Sequence, residues 1–245
     1  MYEIIKMILR LLVAMGFALL SACATDTPAS MDGKQVPHLD SRNTLNQLGK
    51  ADLDRMADVE MQANSDSLRL LMTKLYKRNP HELKKSTSSS VEEMVNWVFN
   101  GSHGWQFKEI NQKQGIAAIQ LAFDPTYKGD RVLPFIVGLQ TMLVKAHGGK
   151  VDFYMTDSIE PQSVYNAARN MEIAAWKLST ARDESGTLYL LTNEINDTER
   201  NLSFEREFGK IIGRLDLYAV TLEEKSQRFI TRVTHGLATA IFFPL

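Results

Sequence analysis

The sequence predicts a predominantly all-α protein: a single helical domain packed around one buried central helix. Three observations carry that expectation. Apolar residues recur at three- and four-residue steps over most of the chain beyond residue 50. Thirteen residues, VLPFIVGLQTMLV, run between Arg131 and Lys145 without a charge. Such a segment is too apolar for a surface helix and too short to cross a bilayer. Only residues 151–155 (VDFYM) and 188–191 (LYLL) read as strands, so at most one minor two-stranded element is expected.

Taken in order, the first helix spans residues 52–79, with Leu53, Met56, Val59/Ala63, Leu68, Leu71/Met72 and Leu75 on one face. Asn79-Pro80 stops it, and Pro80 is suited to the first position of a short helix over 81–84. After the polar joint STSSS, Ser90 and Glu93 form a capping box. It opens a short amphipathic helix carrying Val91, Met94, Val95, Trp97 and Val98, which ends at Gly101-Ser102-His103-Gly104. Residues 115–123 (GIAAIQLAF) form another apolar segment, closed by Asp124-Pro125.

The central helix covers residues 131–147, with Asp130 as N-cap, Pro134 in its first turn and Gly148-Gly149 as its stop. Gly138 in mid-helix costs about 1 kcal/mol against alanine, which close approach of a neighbouring helix would explain. Residues 161–181 are helical, burying Val164, Ala168, Met171, Ala175 and Leu178. A periodic run capped by Ser203 continues through Phe229, Val233 and Leu237, so one helix of over 30 residues, or two collinear ones, is expected there. The closing residues LATAIFFPL are apolar and must be covered.

The chain has 28 basic and 29 acidic residues; without residues 1–22, which hold Lys6, Arg10 and Glu3, 26 and 28 remain. That near-neutral balance argues against nucleic acid as a partner, since phosphate backbones demand a concentrated basic footprint. With 44% hydrophobic residues and one cysteine, stability comes from a core rather than from disulfides.

Four side chains on the 161–181 helix share a stripe: Tyr165, Arg169, Glu172 and Trp176, at steps of four, three and four. An arginine between aromatics with a carboxylate one turn away can hold an anionic or planar ligand. The competing and favoured reading has Arg169 pair with Glu172 and tie two helices together. Asp124, Asp130 and Asp157 sit at segment boundaries, where capping and turn formation are the expected tasks. The histidines (His38, His81, His103, His147 and His235) have no metal-ligand spacing. His103, in a glycine-flanked turn near Trp105, is the only one expected in an exposed loop. No nucleophile elbow, dinucleotide fingerprint or phosphate loop is present in the sequence, so neither catalytic residues, nor a metal, nor a cofactor is assigned.

The N-terminus carries the most specific signal. Lys6 and Arg10 precede an uncharged ten-residue apolar run, residues 11–20, followed by Ser21-Ala22. This is the layout of a secretory signal. It ends in Leu20-Ser21-Ala22-Cys23, which resembles the lipobox of bacterial lipoproteins. The resemblance implies cleavage after Ala22 and a diacylglycerol thioether on Cys23, with acylation of the new amine. Multiple acyl chains give stable anchoring where one does not. In Gram-negative lipoproteins Asp at the next position retains the protein in the inner membrane, so Ala24 there implies the outer membrane of such a host, and a periplasm-facing orientation is expected. Residues 1–22 are then the signal, 23–45 a lipidated tether reaching roughly 25 Å, and 46–245 the helical domain. The mature part resembles uncharacterised envelope lipoproteins of Gram-negative bacteria, and no activity follows from that likeness.

The sequence therefore points to a membrane-anchored binding or assembly factor, with an envelope protein or peptidoglycan as partner. Two alternatives remain: a lipid or other apolar ligand held between the helices, or an envelope-acting enzyme without a recognisable motif.

Overall fold

Helix α1 (Asp52–Arg78) ends in Lys77 and Arg78, whose charges suit the negative end of the helix dipole. Its apolar face, from Leu68 through Leu71, Met72, Leu75 and Tyr76, has no solvent exposure. A computed structural model describes residues 52–149, 159–195, 200–226, 228–232 and 241–245. The expected signal, Ala22, Cys23 and the tether lie outside the described residues, as do Asp157, His38, His235 and the strand expected at 151–155.

Pro80 opens α2 (Pro80–Ser86) at its first turn, as its fixed φ favours. The capping box of α3 (Val91–Asn100) is complete: Glu93 N–H donates to Ser90 Oγ (3.1 Å) and Ser90 N–H to Glu93 Oε2 (2.9 Å). This helix buries Met94, Val95 and Val98 but leaves Trp97 45% exposed. A 3-10 turn (Lys108–Ile110) and α4 (Gly115–Ala122) follow.

Twelve residues of the central helix α5 (Val132–Ala146, 15 residues) are buried. It packs against α1, α4 and α6 (Pro161–Thr180). Its N-terminus is capped from one residue further back than the helix boundary. Asp130 Oδ1 accepts the N–H groups of Val132 (2.8 Å) and Leu133 (3.4 Å). At its C-terminus Gly149 N–H closes on Val144 O (2.8 Å), with Gly148 and Gly149 at φ 79° and 77°. Gly138 is the close approach that its position suggested. A Cβ there would lie 2.7 Å from both Gly115 O and Ile119 N of α4.

β1 (Glu194–Ile195) and β2 (Arg200–Asn201) form a two-residue antiparallel ribbon, and Leu188 bridges to Arg182. The last helix, α7 (Ser203–Ser226), has 24 residues rather than over 30. Ser203 is its first residue and not its cap. Its N–H donates to Asn201 Oδ1 (3.1 Å) and that of Phe204 to Asn193 Oδ1 (3.3 Å). Beyond Ser226 the backbone finds side chains instead of helical partners: Ile230 N–H donates to Glu223 Oε1 (2.8 Å) and Thr231 N–H to Gln162 Oε1 (2.7 Å). Phe229, expected on the apolar face, is 91% exposed.

α1, α5, α6 and α7 pack as a closed ring, α1 on α5, α5 on α6, α6 on α7 and α7 on α1. The pairs Tyr76–Asp130, Ser65–Gln140 and Glu60–His147 descend along α1 as they ascend α5, so these helices are antiparallel. Lys74 over Phe204 and Arg214 bonded to Asn64 set α1 antiparallel to α7. Across the ring, Phe135 meets Phe208 (6.4 Å between centroids) and His147 meets Tyr218 (5.5 Å), so α5 and α7 run parallel. All of this belongs to one compact unit, Thr44–Leu245. Among the described residues no helix is long and apolar enough to cross a membrane.

Candidate functional site

The α6 stripe is consumed by packing. Arg169 Nη2 lies 2.9 and 2.8 Å from the two carboxylate oxygens of Asp216 on α7 and 3.1 Å from Glu172 Oε1. Its guanidinium sits 5.0 Å from the centre of the Tyr165 ring. Tyr165, Arg169 and Glu172 do meet, but the charge is satisfied by α7, so the arginine ties two helices together. Trp176, one turn on, is partly buried. Asp216 lay hidden in the sequence because its partner is 47 residues away.

Asp124 and Asp130 serve separate local tasks. Asp124 Oδ1 accepts both the N–H (2.8 Å) and the hydroxyl (2.7 Å) of Thr126, closing the turn before α5. Asp130, 3% exposed, also accepts the hydroxyls of Tyr76 (2.6 Å) and Ser86 (2.8 Å). Burial holds its carboxyl above the usual carboxylate range, against the downward pull of the bonds from Tyr76, Ser86 and Val132 N–H, and Glu82 adds to the rise. Beside it, Glu82 Oε2 accepts Arg131 N–H (2.7 Å) while Oε1 pairs with Lys85 (2.6 Å). The Arg131 guanidinium donates to the carbonyls of Ala122, Asp124 and Tyr127 and stacks 4.1 Å from the Tyr189 ring. This network is saturated internally and fastens the entry of the central helix.

A second buried network lies at the far end of α5. His147 Nε2 is 2.7 Å from Glu60 Oε2, its Nδ1 is 2.8 Å from Leu143 O, and its ring stacks on Tyr218. Asn64 bonds Glu60 and accepts from Arg214 (3.1 Å), which also reaches Ser67 (3.1 Å). His81 is exposed, 3.0 Å from Glu82. Among the described residues no three metal-ligating side chains gather.

His103 belongs to an arrangement that periodicity does not reveal. Its ring packs 4.1 Å from Phe107, 5.5 Å from Trp97 and 6.2 Å from Trp105, and its Nε2 lies 2.9 Å from Trp97 O. Phe99 meets Trp105 edge-on at 5.3 Å. The loop holding this aromatic corner is unusual in backbone as well: Trp105, Asn111 and Gln112 adopt φ of 61°, 53° and 55°. For a residue as bulky as tryptophan that conformation costs energy, and such strain gathers at functional sites. Grooves flank the corner. One, of about 480 Å³, is lined by Trp97 with Glu93, Met94, Glu109 and hydroxyl residues of the α2–α3 joint. The other, of about 720 Å³, runs from Trp105 past Thr141 and Lys145 to Pro244 and Leu245. A binding role for Trp97 was not read from the sequence, where it counted among the apolar residues of α3. The available signal was four aromatics and a histidine, Trp97, Phe99, His103, Trp105 and Phe107, within eleven residues.

Arg169 and His103 have separate sets of partners: Asp216, Glu172 and Tyr165 for one, Trp97, Trp105 and Phe107 for the other. No family model, no characterised protein and no solved structure matches this chain.

Proposed function

We propose that the chain is a cell-envelope lipoprotein, anchored through acylated Cys23 to the periplasmic face of an outer membrane, and that it acts by binding. Leu20-Ser21-Ala22-Cys23 after a charged and apolar leader supports the anchor, with Cys23 the only cysteine in the chain. The observation that carries the binding role is the aromatic corner, where Trp97 stays 45% exposed although two aromatic neighbours fix its ring. Rigid, half-exposed tryptophans are favoured anchors at interfaces because little conformational entropy remains to be lost. The ring interior is filled by side chains such as Phe135, Leu139, Met142 and Phe208, which favours a surface partner over an apolar ligand held between the helices.

The anchor is tested by expressing the full chain and a Cys23→Ser variant in a Gram-negative host. Wild type is expected in the detergent-soluble envelope fraction, with the mature N-terminus heavier by three acyl chains and a glyceryl group; the variant is expected to lose both properties. An unmodified Cys23 in the wild type would refute the anchor. For the binding role, Trp97→Ala is expected to lose an envelope partner that the wild-type chain captures, and equal capture would move the binding surface elsewhere.

A further inference from the structure

We infer that the groove beside Trp97 is a site for an organic ammonium group, a charged amine without an adjacent anion. The inference rests on the reading of this corner as a binding surface, and its ligand class comes from the groove lining. Glu93 and Trp97 are one helical turn apart on α3 and line the same groove of about 480 Å³, a volume in the range of small-ligand pockets. Both are set before any ligand arrives. Glu93 Oε2 is held by Ser90 N–H (2.9 Å), and the Trp97 ring is held edge-on by Phe107 (5.1 Å) and at a tilt by His103 (5.5 Å).

Glu109 reaches the groove from the 3-10 turn Lys108–Ile110. It has no hydrogen bond or ion pair among the described residues. No lysine or arginine lines the groove, so two carboxylates and an indole border it without a cation among its lining. An anion would be repelled. A purely apolar ligand would strip water from both carboxylates without replacing it. A neutral sugar would offer hydroxyls but leave the charges uncompensated. An ammonium group is the ligand class that both an indole, the strongest natural cation–π partner, and a carboxylate attract.

The test uses the full chain in a maltoside detergent, with its three tryptophans labelled with ¹⁵N at the indole. The Trp97 signal is assigned by its loss in Trp97→Phe. Choline is the probe, against its neutral isostere 3,3-dimethylbutan-1-ol, the zwitterion phosphocholine and N-acetylglucosamine. Choline is expected to shift the Trp97 indole saturably, and Glu93→Gln or Glu109→Gln to weaken it by roughly tenfold. The other two indole signals should stay in place, reporting an intact fold. Equal binding of the isostere, of phosphocholine or of the sugar at Trp97 would overturn the ammonium assignment while keeping the corner as a binding surface. If no probe moves the Trp97 signal, the ammonium assignment falls; the binding reading falls with it only when Trp97→Ala also captures its partner as well as wild type does.

Discussion

Asp130 does at the scale of one side chain what several loop residues usually share. Its carboxylate caps α5 and accepts two hydroxyls while nearly sealed from water. Asp130→Ala is expected to cost about 3 kcal/mol, because the buried Tyr76 hydroxyl and the helix N–H groups lose their acceptor together; the urea midpoint by circular dichroism measures it. The same group gives a signed pH dependence. Its folded pKa is raised, so the folded chain holds the proton more tightly than the unfolded one. Between its raised value and the ordinary one near 4, the Asp130 contribution therefore becomes more favourable as pH falls. The carboxylates Asp124, Asp183 and Glu223 have the opposite sign. Their depressed values give stability present above the unfolded pKa and lost as pH falls through the folded one. The stability gap between wild type and Asp130→Asn should accordingly widen as the pH is lowered from 7 toward 4. A constant gap would mean that Asp130 titrates like an exposed carboxylate.

Elements are joined here by close backbone contact and by caps. In an exposed helix, Gly138→Ala would stabilise by about 1 kcal/mol. At this α4–α5 contact the added methyl meets backbone atoms of Gly115 and Ile119 at 2.7 Å, and backbone cannot swing away as a side chain can. The expected net effect is a loss of about 1–3 kcal/mol in thermal or urea unfolding. Ser90→Ala removes one half of the α3 capping box, with an expected loss of about 1 kcal/mol. Alanine keeps the backbone N–H that donates to Glu93 Oε2, so the other half of the box persists in this variant. Helix α7 makes a related point: no proline stops it, and it ends where Glu223 and Gln162 offer its backbone other partners.

For the whole molecule, the antiparallel ring leaves a seam that the C-terminus closes. Asn170 on α6 accepts Phe243 N–H (2.6 Å) and donates to Phe243 O (2.9 Å), while Asn166 donates to Pro244 O (2.8 Å). Phe242 and Leu245 pack on the core, and Ile241 stays 71% exposed. Deleting residues 241–245 should therefore cost about 2–4 kcal/mol in thermal unfolding, since Asn170, with no solvent exposure, would be left without partners. A truncated chain as stable as the full one would show that the tail only rests on the surface.

The order and type of the helices, their approximate limits apart from the end of α7, the capping box at Ser90 and the buried nature of α5 were legible in the chain, because each depends on neighbours within a few turns. So was the pairing of Arg169 with Glu172, three residues apart on one helix. Gly138 in mid-helix signalled a close approach without naming its partner. Asp216 as the second partner of Arg169 and the place of Phe243 were decided by tertiary structure, because their partners lie tens of residues away, and so in part was the end of α7, where Gln162 takes up Thr231 N–H. The aromatic corner belongs with these. Its residues stand close together in sequence, but their convergence depends on a left-handed turn at Trp105 and on Phe107 being anchored in the core. Periodicity carries information about what a helix buries, and long-range contacts decide which of the remaining side chains are left to meet a partner.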